Sequence, residues 1–419
     1  MKTTTTGLAL LAGLAMAPAA VAAPLQLWIS SYQDKVYYED MIRLYQKSED
    51  PTFEAVVTAY GFREMPDKLA VSIKTGANPP DIVQLDEVLF GMYLGGEVPF
   101  VDLTSRVKEA GLDKDLVPQR LKLFTRGEAM YGVPQSLSAM LLYYRTDLFE
   151  KHGITPADLT TWDEFVAVGK RLKEKNQAMI GIDPTYFEVL LRQRGSDLFG
   201  KDGKPFPDEA LAIDTLKWMV DLQSQGIAVQ PDRGSIFDPV FFNTAVSSDT
   251  ILCIMGADWY GLDMIQQFTP HLKGKWGVMP LPVWQEPGGK LSPRTSAFAG
   301  QGLMIYKDST VTDEAWKFIQ FVMTNREANV QRFTQGNSFP AYRPAWKDER
   351  LLQPSEFFSN QSMGKLLIRL APEIPEVAMT AQRPQAVFMF QENFFSQLMY
   401  GQLSPEQVVT QMKGALNKQ

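Results

Sequence analysis

Apolar and polar positions follow one another along the chain in a way that predicts strands and helices in turn. Short apolar runs at Leu25–Ile29, Phe53–Ala59 and Pro80–Leu85 have the length of buried strands. The segments between them, Val36–Tyr45 and Met65–Ile73, repeat apolar residues at helical spacing. The order strand, helix, strand, helix, strand predicts a parallel sheet with helices on its faces, and therefore an α/β fold.

Later helices carry clear start signals. Thr161–Glu164 and Ser404–Gln407 each place a hydroxyl three residues before a Glu or Gln, which predicts a capping box at the first turn of a helix. Further helices are predicted over Asp208–Gln225 and Thr312–Asn325 from their apolar spacing. These segments extend the α/β pattern to the end of the chain.

The first 22 residues resemble a secretory leader rather than part of the fold. Lys2 is followed by the short apolar run Leu8–Met16 and by Ala20–Ala22, which fits the small-x-small rule for signal peptidase. Residues 1–22 are therefore predicted to be a signal peptide that is removed before Ala23. Because no cysteine follows directly, no lipid anchor is expected, and the protein is expected in the periplasm.

Length and composition narrow the function further. The remainder of the 419-residue chain is longer than a single hydrophobic core usually accommodates, which predicts two domains. A formal net charge of −7 argues against nucleic acid as a partner. The single cysteine, Cys253, is predicted to be buried in a strand. His152 and His271 lack metal-like spacing, and no nucleotide- or cofactor-binding motif is found, so neither a metal nor a cofactor is expected.

Aromatic residues lie near predicted strand ends and in loops rich in Gly, Pro, Ser and Asp. The best example is Met255–Gly261, where a turn after a buried strand presents Asp258 beside Trp259 and Tyr260. An aromatic face suits the apolar C–H face of a sugar ring, and polar groups around it can bond the ring hydroxyls. The pattern therefore favours carbohydrate binding. The same group includes Trp28, Tyr32, Tyr60, Tyr186, Trp284, Tyr342 and Trp346.

Several segments, in order along the chain, resemble the family 1 extracellular solute-binding proteins of ABC importers, the group that contains the maltose-binding protein. Asp86–Phe90 and Ser138–Met140 are closest to members associated with arabinose or lactose uptake. Arg145 departs from the family pattern, where asparagine is usual, at a position that supports the fold. The segments that carry the resemblance are Leu25–Ser30, Gly76–Val83, Tyr131–Pro134, Leu142–Phe149, Thr161–Phe165, Gly256–Trp259 and Ala315–Ile319.

The resemblance implies a two-lobed periplasmic-binding-protein fold of type II, with interleaved lobes joined by hinge segments. One lobe would hold residues 23–135 and 300–337, and the other residues 136–299 and 338–419. The lobes would close on a sugar by hinge bending, and the closed monomer would dock on an ABC permease driven by an ATPase. The protein would be a binding subunit and not an enzyme.

The resemblance also places positions of the chain at the ligand. Trp259 falls on a sugar-stacking tryptophan, Ser138 on a ligand-binding glutamate, and Phe388 close to a C-terminal stacking aromatic. Leu85 replaces an aromatic beside Asp86. The residues expected at the ligand are Trp259, Asp258, Asp86, Glu87, Tyr32, Tyr60, Gln135, Ser138, Tyr186, Arg343 and Phe388.

Two alternatives remain open at the level of sequence. A ligand such as glycerol 3-phosphate would need cationic side chains in the cleft, for which Arg63, Arg294 and Arg343 are candidates. A periplasmic glycosidase or lyase would need a pair of carboxyl groups, for which Asp86–Glu87 and Asp183 are candidates.

Overall fold

The computed structural model describes residues 23–231 and 235–418. The predicted signal peptide lies outside the described residues. The strands are β1 Leu25–Ile29, β2 Ala55–Ala59, β3 Ile82–Asp86, β4 Thr125–Arg126, β5 Ala129–Met130, β6 Val133–Pro134, β7 Met140–Arg145, β8 Ala178–Gly181, β9 Ala228–Val229, β10 Ile251–Ala257, β11 Trp276–Met279, β12 Gln285–Glu286, β13 Lys290–Leu291 and β14 Gln301–Ile305. The α-helices are α1 Asp34–Ser48, α2 Met65–Thr75, α3 Glu87–Gly91, α4 Thr104–Glu109, α5 Leu112–Asp115, α6 Pro118–Leu121, α7 Thr146–His152, α8 Trp162–Lys173, α9 Tyr186–Gln193, α10 Glu209–Ser224, α11 Pro239–Phe241, α12 Asp258–Tyr260, α13 Gln266–Phe268, α14 Thr312–Thr324, α15 Arg326–Thr334, α16 Met363–Leu370, α17 Arg383–Met389, α18 Phe395–Met399 and α19 Pro405–Leu416.

The first sheet has the strand order β2-β1-β3-β14-β6. Strand β1 lies parallel to both β2 and β3, as the apolar pattern predicted. Helices α1 and α2 connect these strands and bury their apolar faces, which confirms the strand and helix predictions for residues 25–85. Strands β14 and β6 join antiparallel at the far side, which the local pattern did not predict.

The second sheet has the order β11-β7-β10-β8-β9. Its strand β10 is buried along its whole length and carries Cys253, which is fully buried as predicted. Arg145, at the end of β7, is almost fully buried and pairs with Asp147 and Asp249, each at 2.8 Å. This departure from the family pattern therefore supports the fold.

The predicted helix starts at Thr161 and Ser404 are confirmed, because both capping boxes are complete. The predicted helices over Asp208–Gln225 and Thr312–Asn325 correspond to α10 and α14. Within the two described stretches, no helix combines the length and the apolar character needed to cross a membrane.

Three backbone segments lie between the sheets, and we call them crossings 1, 2 and 3. Crossing 1, residues 135–139, runs from β6 to β7, and crossing 2, residues 297–300, leads into β14. Crossing 3, residues 338–341, pairs with crossing 1: the Leu137 amide donates to the Phe339 carbonyl at 2.8 Å, and the Ala341 amide to the Gln135 carbonyl at 3.1 Å. The crossings are thus hydrogen-bonded to each other.

The helices after crossing 3 pack on the side of the second sheet. Helix α19 is joined to α10 by ion pairs of Lys413 with Glu209 and of Lys217 with Glu406, both at 2.6 Å. These two ion pairs tie the last helix of the chain to α10, which packs beside β9 of the second sheet.

Candidate functional site

A cavity of about 630 Å³ lies between the two sheets. Residues 30–34 after β1 and residues 86–88 after β3 line it from the first-sheet side. Residues 183–185 after β8 and Trp259 after β10 line it from the second-sheet side. Crevices at the carboxyl ends of parallel strands are the common ligand sites of α/β proteins. The volume lies in the range of roughly 300–1,000 Å³ that is typical of small-molecule pockets.

Three aromatic rings form a platform on one wall of the cavity, namely Phe237, Trp259 and Phe298. Their ring centres are 6.0–6.3 Å apart, and their planes differ by 18–27°. Behind the platform, Tyr260 contacts Phe237 edge-on at 5.5 Å, and its hydroxyl donates to the Ile236 carbonyl at 2.6 Å. The platform is therefore held in place, and its roughly parallel rings offer an apolar surface to a flat ligand ring.

On the first-sheet side, Arg332 and Asp34 form an almost fully buried ion pair at 3.1 Å. The Arg332 guanidinium also donates to the Ser338 hydroxyl at 2.8 Å and lies over the Tyr37 ring at 5.0 Å. Three contacts of this kind fix the guanidinium in one orientation. Its charge is compensated by the Asp34 carboxylate within the wall.

Asp86 and Glu87 stand together at the start of α3. One Asp86 carboxylate oxygen accepts from the Val88 amide at 3.0 Å, and the other from the Gly300 amide at 3.2 Å. Burial, followed by the neighbouring Glu87, raises the pKa of Asp86 to about 8. Burial also raises the pKa of Glu87, whose carboxylate lies 3.6 Å from the Arg120 guanidinium.

On the second-sheet side, the wall contains two further buried carboxylates. Asp183 accepts from the Thr185 amide at 2.9 Å and from the Ile236 amide at 3.0 Å, and burial raises the pKa of its carboxyl. Glu188 pairs with Arg383 at 2.8 Å. The same guanidinium pairs with Asp197 at 3.0 Å, so the charge of Arg383 is also compensated.

The mouth of the cavity is framed by half-exposed and exposed side chains. The Tyr32 side chain is 59% exposed there. Arg63, from the loop after β2, pairs with Glu392 at 2.8 Å and lies over the Phe388 ring at 4.2 Å. Because Arg63 follows a strand of the first sheet and the other two residues belong to the C-terminal helices, this contact spans the cleft.

The structure brings five of the residues predicted at the ligand to the cavity wall and leaves six away from it. The five at the wall are Tyr32, Asp86, Glu87, Trp259 and Phe388. The six away from it are Asp258, Tyr60, Gln135, Ser138, Tyr186 and Arg343.

Three of the six are buried in or beside the crossings. The fully buried Asp258 carboxylate accepts from the Phe339 amide at 2.8 Å, and burial raises its pKa to about 6. The Gln135 amide bonds the Tyr38 hydroxyl inside the first-sheet core. The Ser138 hydroxyl bonds that of Ser136, which lies at the wall in its place. These side chains are thus engaged in the connection between the sheets, and their role at the ligand stays a prediction.

The other three are held by contacts elsewhere. The buried Tyr186 hydroxyl accepts from the Met255 amide at 3.2 Å and so ties α9 to β10. Tyr60 packs edge-on against Trp28 at 4.9 Å. Arg343 donates to backbone carbonyls at the end of α5, one of them that of Asp115 at 3.2 Å. The Tyr186 hydroxyl and the Arg343 guanidinium are thus engaged within the protein, and the placement of all three residues at the ligand stays a prediction.

The wall also contains residues that the sequence did not place at the ligand. Phe237 and Phe298 complete the platform, and Arg332, Glu188 and Arg383 supply buried charge. Phe298, which lies within crossing 2, and the turn after β8 were recognisable as loop positions. No sequence signal indicated that Arg332 lies at the cavity, because a buried polar residue within α15 cannot be distinguished by local pattern from a solvent-exposed one. Among residues 23–231 and 235–418, no group of acidic, histidine or cysteine side chains is arranged to hold a metal ion.

Solved structures of similar fold support the two-lobed architecture. A solute-binding protein of an ABC transporter from Thermotoga lettingae TMO, bound to alpha-D-tagatose, matches with a TM-score of 0.76 and 19% identity, covering 94% of this chain and 99% of that one. The galacto-N-biose/lacto-N-biose I-binding protein of Bifidobacterium longum, in complex with lacto-N-biose, also matches with a TM-score of 0.76 and 19% identity, over 94% and 96%. The predicted two-lobed α/β fold is confirmed.

Curated relatives match along almost the whole length. An arabinooligosaccharide-binding protein of Bacillus subtilis is 23% identical over 406 residues, which cover 94% of this chain and 92% of the relative. A lactose-binding protein of Rhizobium radiobacter is 24% identical over 379 residues, or 87% and 86%. The predicted similarity to family members associated with arabinose or lactose uptake is confirmed. The model of the family described as bacterial extracellular solute-binding protein matches residues 29–329. The chain therefore belongs to the bacterial extracellular solute-binding protein family.

Proposed function

We propose that this protein is the extracytoplasmic binding subunit of an ABC importer and that it captures an uncharged sugar in the cavity between its sheets. The aromatic platform facing a wall of hydrogen-bonding side chains carries this proposal. Rings of Phe237, Trp259 and Phe298 suit the C–H face of a pyranose or furanose. Hydroxyl groups at the ring edge then meet the polar wall, which fixes orientation and specificity.

The charge pattern of the wall supports a neutral ligand over glycerol 3-phosphate. Each arginine at the wall among the described residues already has a carboxylate partner: Arg332 has Asp34, Arg383 has Glu188, and Arg63 has Glu392. An anionic ligand would need a spare positive charge to offset its desolvation. The other two candidates lie off the wall: Arg294 pairs with Glu373 at 2.5 Å, and Arg343 binds backbone carbonyls.

The ligand is proposed to be a short oligosaccharide rather than a single sugar. The relatives named for arabinooligosaccharide and lactose match over almost the full chain, which supports more than one sugar unit. The exposed ring of Tyr32 at the mouth offers a further apolar contact to a unit that extends outward.

Capture is proposed to proceed by closure of two lobes, comprising residues 23–135 with 300–337 and residues 136–299 with 338–419. A ligand that contacts both lobes binds the closed form better and shifts the population towards it. The closed monomer, exported by a signal peptide removed before Ala23, then delivers the sugar to its permease. No bond of the sugar is broken in this cycle, so a glycosidase or lyase activity is not proposed.

Calorimetric titration of the mature protein tests the proposal. Residues 23–419 are titrated with arabinobiose, lactose and glycerol 3-phosphate, and each recovered ligand is analysed by mass spectrometry. We expect heat from at least one neutral sugar, none from the phosphate ester, and unchanged sugar on recovery. Heat from glycerol 3-phosphate alone, or a shortened sugar, overturns the proposal.

A further inference from the structure

One buried arginine joins two of the three crossings. Arg120, near the end of α6, is only 1% exposed. Its Nε donates to the carbonyl of Ser136 in crossing 1 at 3.2 Å. Its Nη2 donates to the carbonyl of Ala299 in crossing 2 at 2.7 Å. A single rigid guanidinium thus sets the spacing of two backbone segments that lead from one sheet to the other.

The backbone of crossing 2 has an unusual conformation beside this guanidinium. Ala299 has a φ of +57° and Gly300 a φ of +132°, both in regions that L-residues rarely adopt. A Cβ atom at Gly300 would lie 1.7 Å from Nη2 of Arg120. The close approach therefore requires glycine at this position. Strained backbone that its surroundings hold in place is typical of switch and hinge positions.

The same segment is bonded to the cavity wall. The Gly300 amide donates to the Asp86 carboxylate at 3.2 Å, and the Gly300 carbonyl accepts from the Glu87 amide at 3.0 Å. Both acidic residues line the cavity, and the Glu87 carboxylate lies 3.6 Å from Arg120. A ligand that moves this wall therefore moves Gly300 and the arginine with it.

One hydrogen-bond donor of Arg120 is not used by these contacts. Its Nη1 is buried and has no hydrogen-bond partner. Because a buried unpaired donor is unfavourable, an arrangement of the crossings that brings a carbonyl to Nη1 is favoured over one that does not.

We propose that Arg120 is a positioning residue that couples the cavity wall to the hinge and limits how far the two lobes can rotate apart. It acts through the carbonyls of Ser136 and Ala299 and needs no contact with the ligand. The inference rests on the proposed closure of two lobes. It is independent of the identity of the sugar.

The test measures the distance between the lobes in the unliganded protein. Val71 on α2 and Tyr400 beyond α18 are 62% and 69% exposed and belong to opposite lobes. Both are replaced by cysteine and spin-labelled, and Cys253 stays unlabelled because it is fully buried. Pulsed electron paramagnetic resonance then gives the distribution of distances. Because no sugar is added, a failed titration does not affect this experiment.

Arg120→Lys keeps the positive charge opposite Glu87 but lacks the rigid fork that sets the spacing of the two carbonyls, so its distance distribution is expected to broaden and shift to longer distances. Arg145→Lys is the matched control, since Arg145 is equally buried and bonds Asp147 and Asp249 away from the crossings. It is expected to lower the melting temperature and leave the distribution unchanged.

An Arg120→Lys distribution equal to that of the wild type overturns the proposal, as does an equal shift in Arg145→Lys. Gly300→Ala, which displaces the guanidinium without removing it, is measured in parallel and is expected to broaden the distribution in the same way. If neither variant at the crossings folds while Arg145→Lys does, Arg120 is an element of stability and the proposal is rejected.

Discussion

Replacing Trp259 by alanine removes one of the three mutually contacting rings of the platform. Trp259 contacts Phe237 at 6.0 Å, Tyr260 at 6.1 Å and Phe298 at 6.2 Å, so the change costs three aromatic pairs as well as the ligand contact. Each pair contributes about 0.5–1.5 kcal/mol, so the free energy of unfolding is expected to fall by about 1.5–4.5 kcal/mol. The melting temperature of the unliganded protein should therefore fall modestly, and a loss of stability alone cannot identify the site.

The loss of affinity is expected to be larger and specific. Truncating a buried tryptophan at the centre of a binding site commonly costs ~2 kcal/mol or more. That corresponds to a roughly 30-fold rise in Kd for the sugar. Calorimetric titration gives the Kd, and differential scanning calorimetry gives the stability of the same samples.

Trp218→Ala provides the matched control. Trp218 loses two aromatic partners, Trp162 at 5.1 Å and Trp284 at 4.9 Å, and it lies away from the cavity wall. Its replacement should cost about 1–3 kcal/mol of stability and leave Kd unchanged. The assignment of the platform is refuted if Trp259→Ala binds within threefold of the wild type, or if both variants lose affinity equally.

Three further predictions concern pH, the mouth of the cavity and a helix start. Burial, then Glu87, raises the pKa of Asp86 to about 8, so its protonated form stabilises the folded state. That contribution is complete below the unfolded pKa of about 4 and is lost as pH rises through about 8. The melting temperature should fall from pH 5 to pH 9, less so in Asp86→Asn; equal slopes contradict this. Arg63→Ala should speed sugar dissociation up to about fivefold in stopped-flow experiments, because an exposed ion pair contributes at most ~1 kcal/mol. Glu392→Gln should do the same and the double variant no more, so additive effects would contradict the pairing. Thr161→Ala should lower the free energy of unfolding in urea by about 1 kcal/mol, and Thr161→Ser should restore it; no loss in the alanine variant argues against the cap.

Local sequence patterns predicted the elements whose form depends on neighbours along the chain. The strands β1, β2 and β3 and the two helices between them follow from apolar spacing, and the caps at Thr161 and Ser404 from hydroxyl and amide chemistry. The antiparallel addition of β14 to β3 joins segments more than 200 residues apart. No local pattern contains such a pairing.

The candidate site was predictable where residues follow a buried strand. Asp86 ends β3, Glu87 follows it, and Trp259 lies two residues after β10; all three reach the cavity. The direction in which a side chain points was not predictable. Asp258 is next to Trp259 in the sequence, yet its carboxylate accepts from the Phe339 amide in crossing 3. Sequence spacing gives the place of a side chain but not the face to which it points.

The buried charges of the wall show the same limit. Arg332 is buried only because Asp34, 298 positions earlier, meets it across the first-sheet core. Within α15, its position has the pattern of a solvated face. Long-range ion pairs of this kind follow from the tertiary fold and leave no mark in the local sequence.

A crystal structure of the mature protein with the neutral sugar that gives the strongest calorimetric signal tests the central claim most directly. We expect one sugar ring lying against Phe237, Trp259 and Phe298, with its hydroxyls bonded to side chains of both lobes. Sugar bound only outside this cavity, or a platform that contacts no part of the ligand, would contradict it.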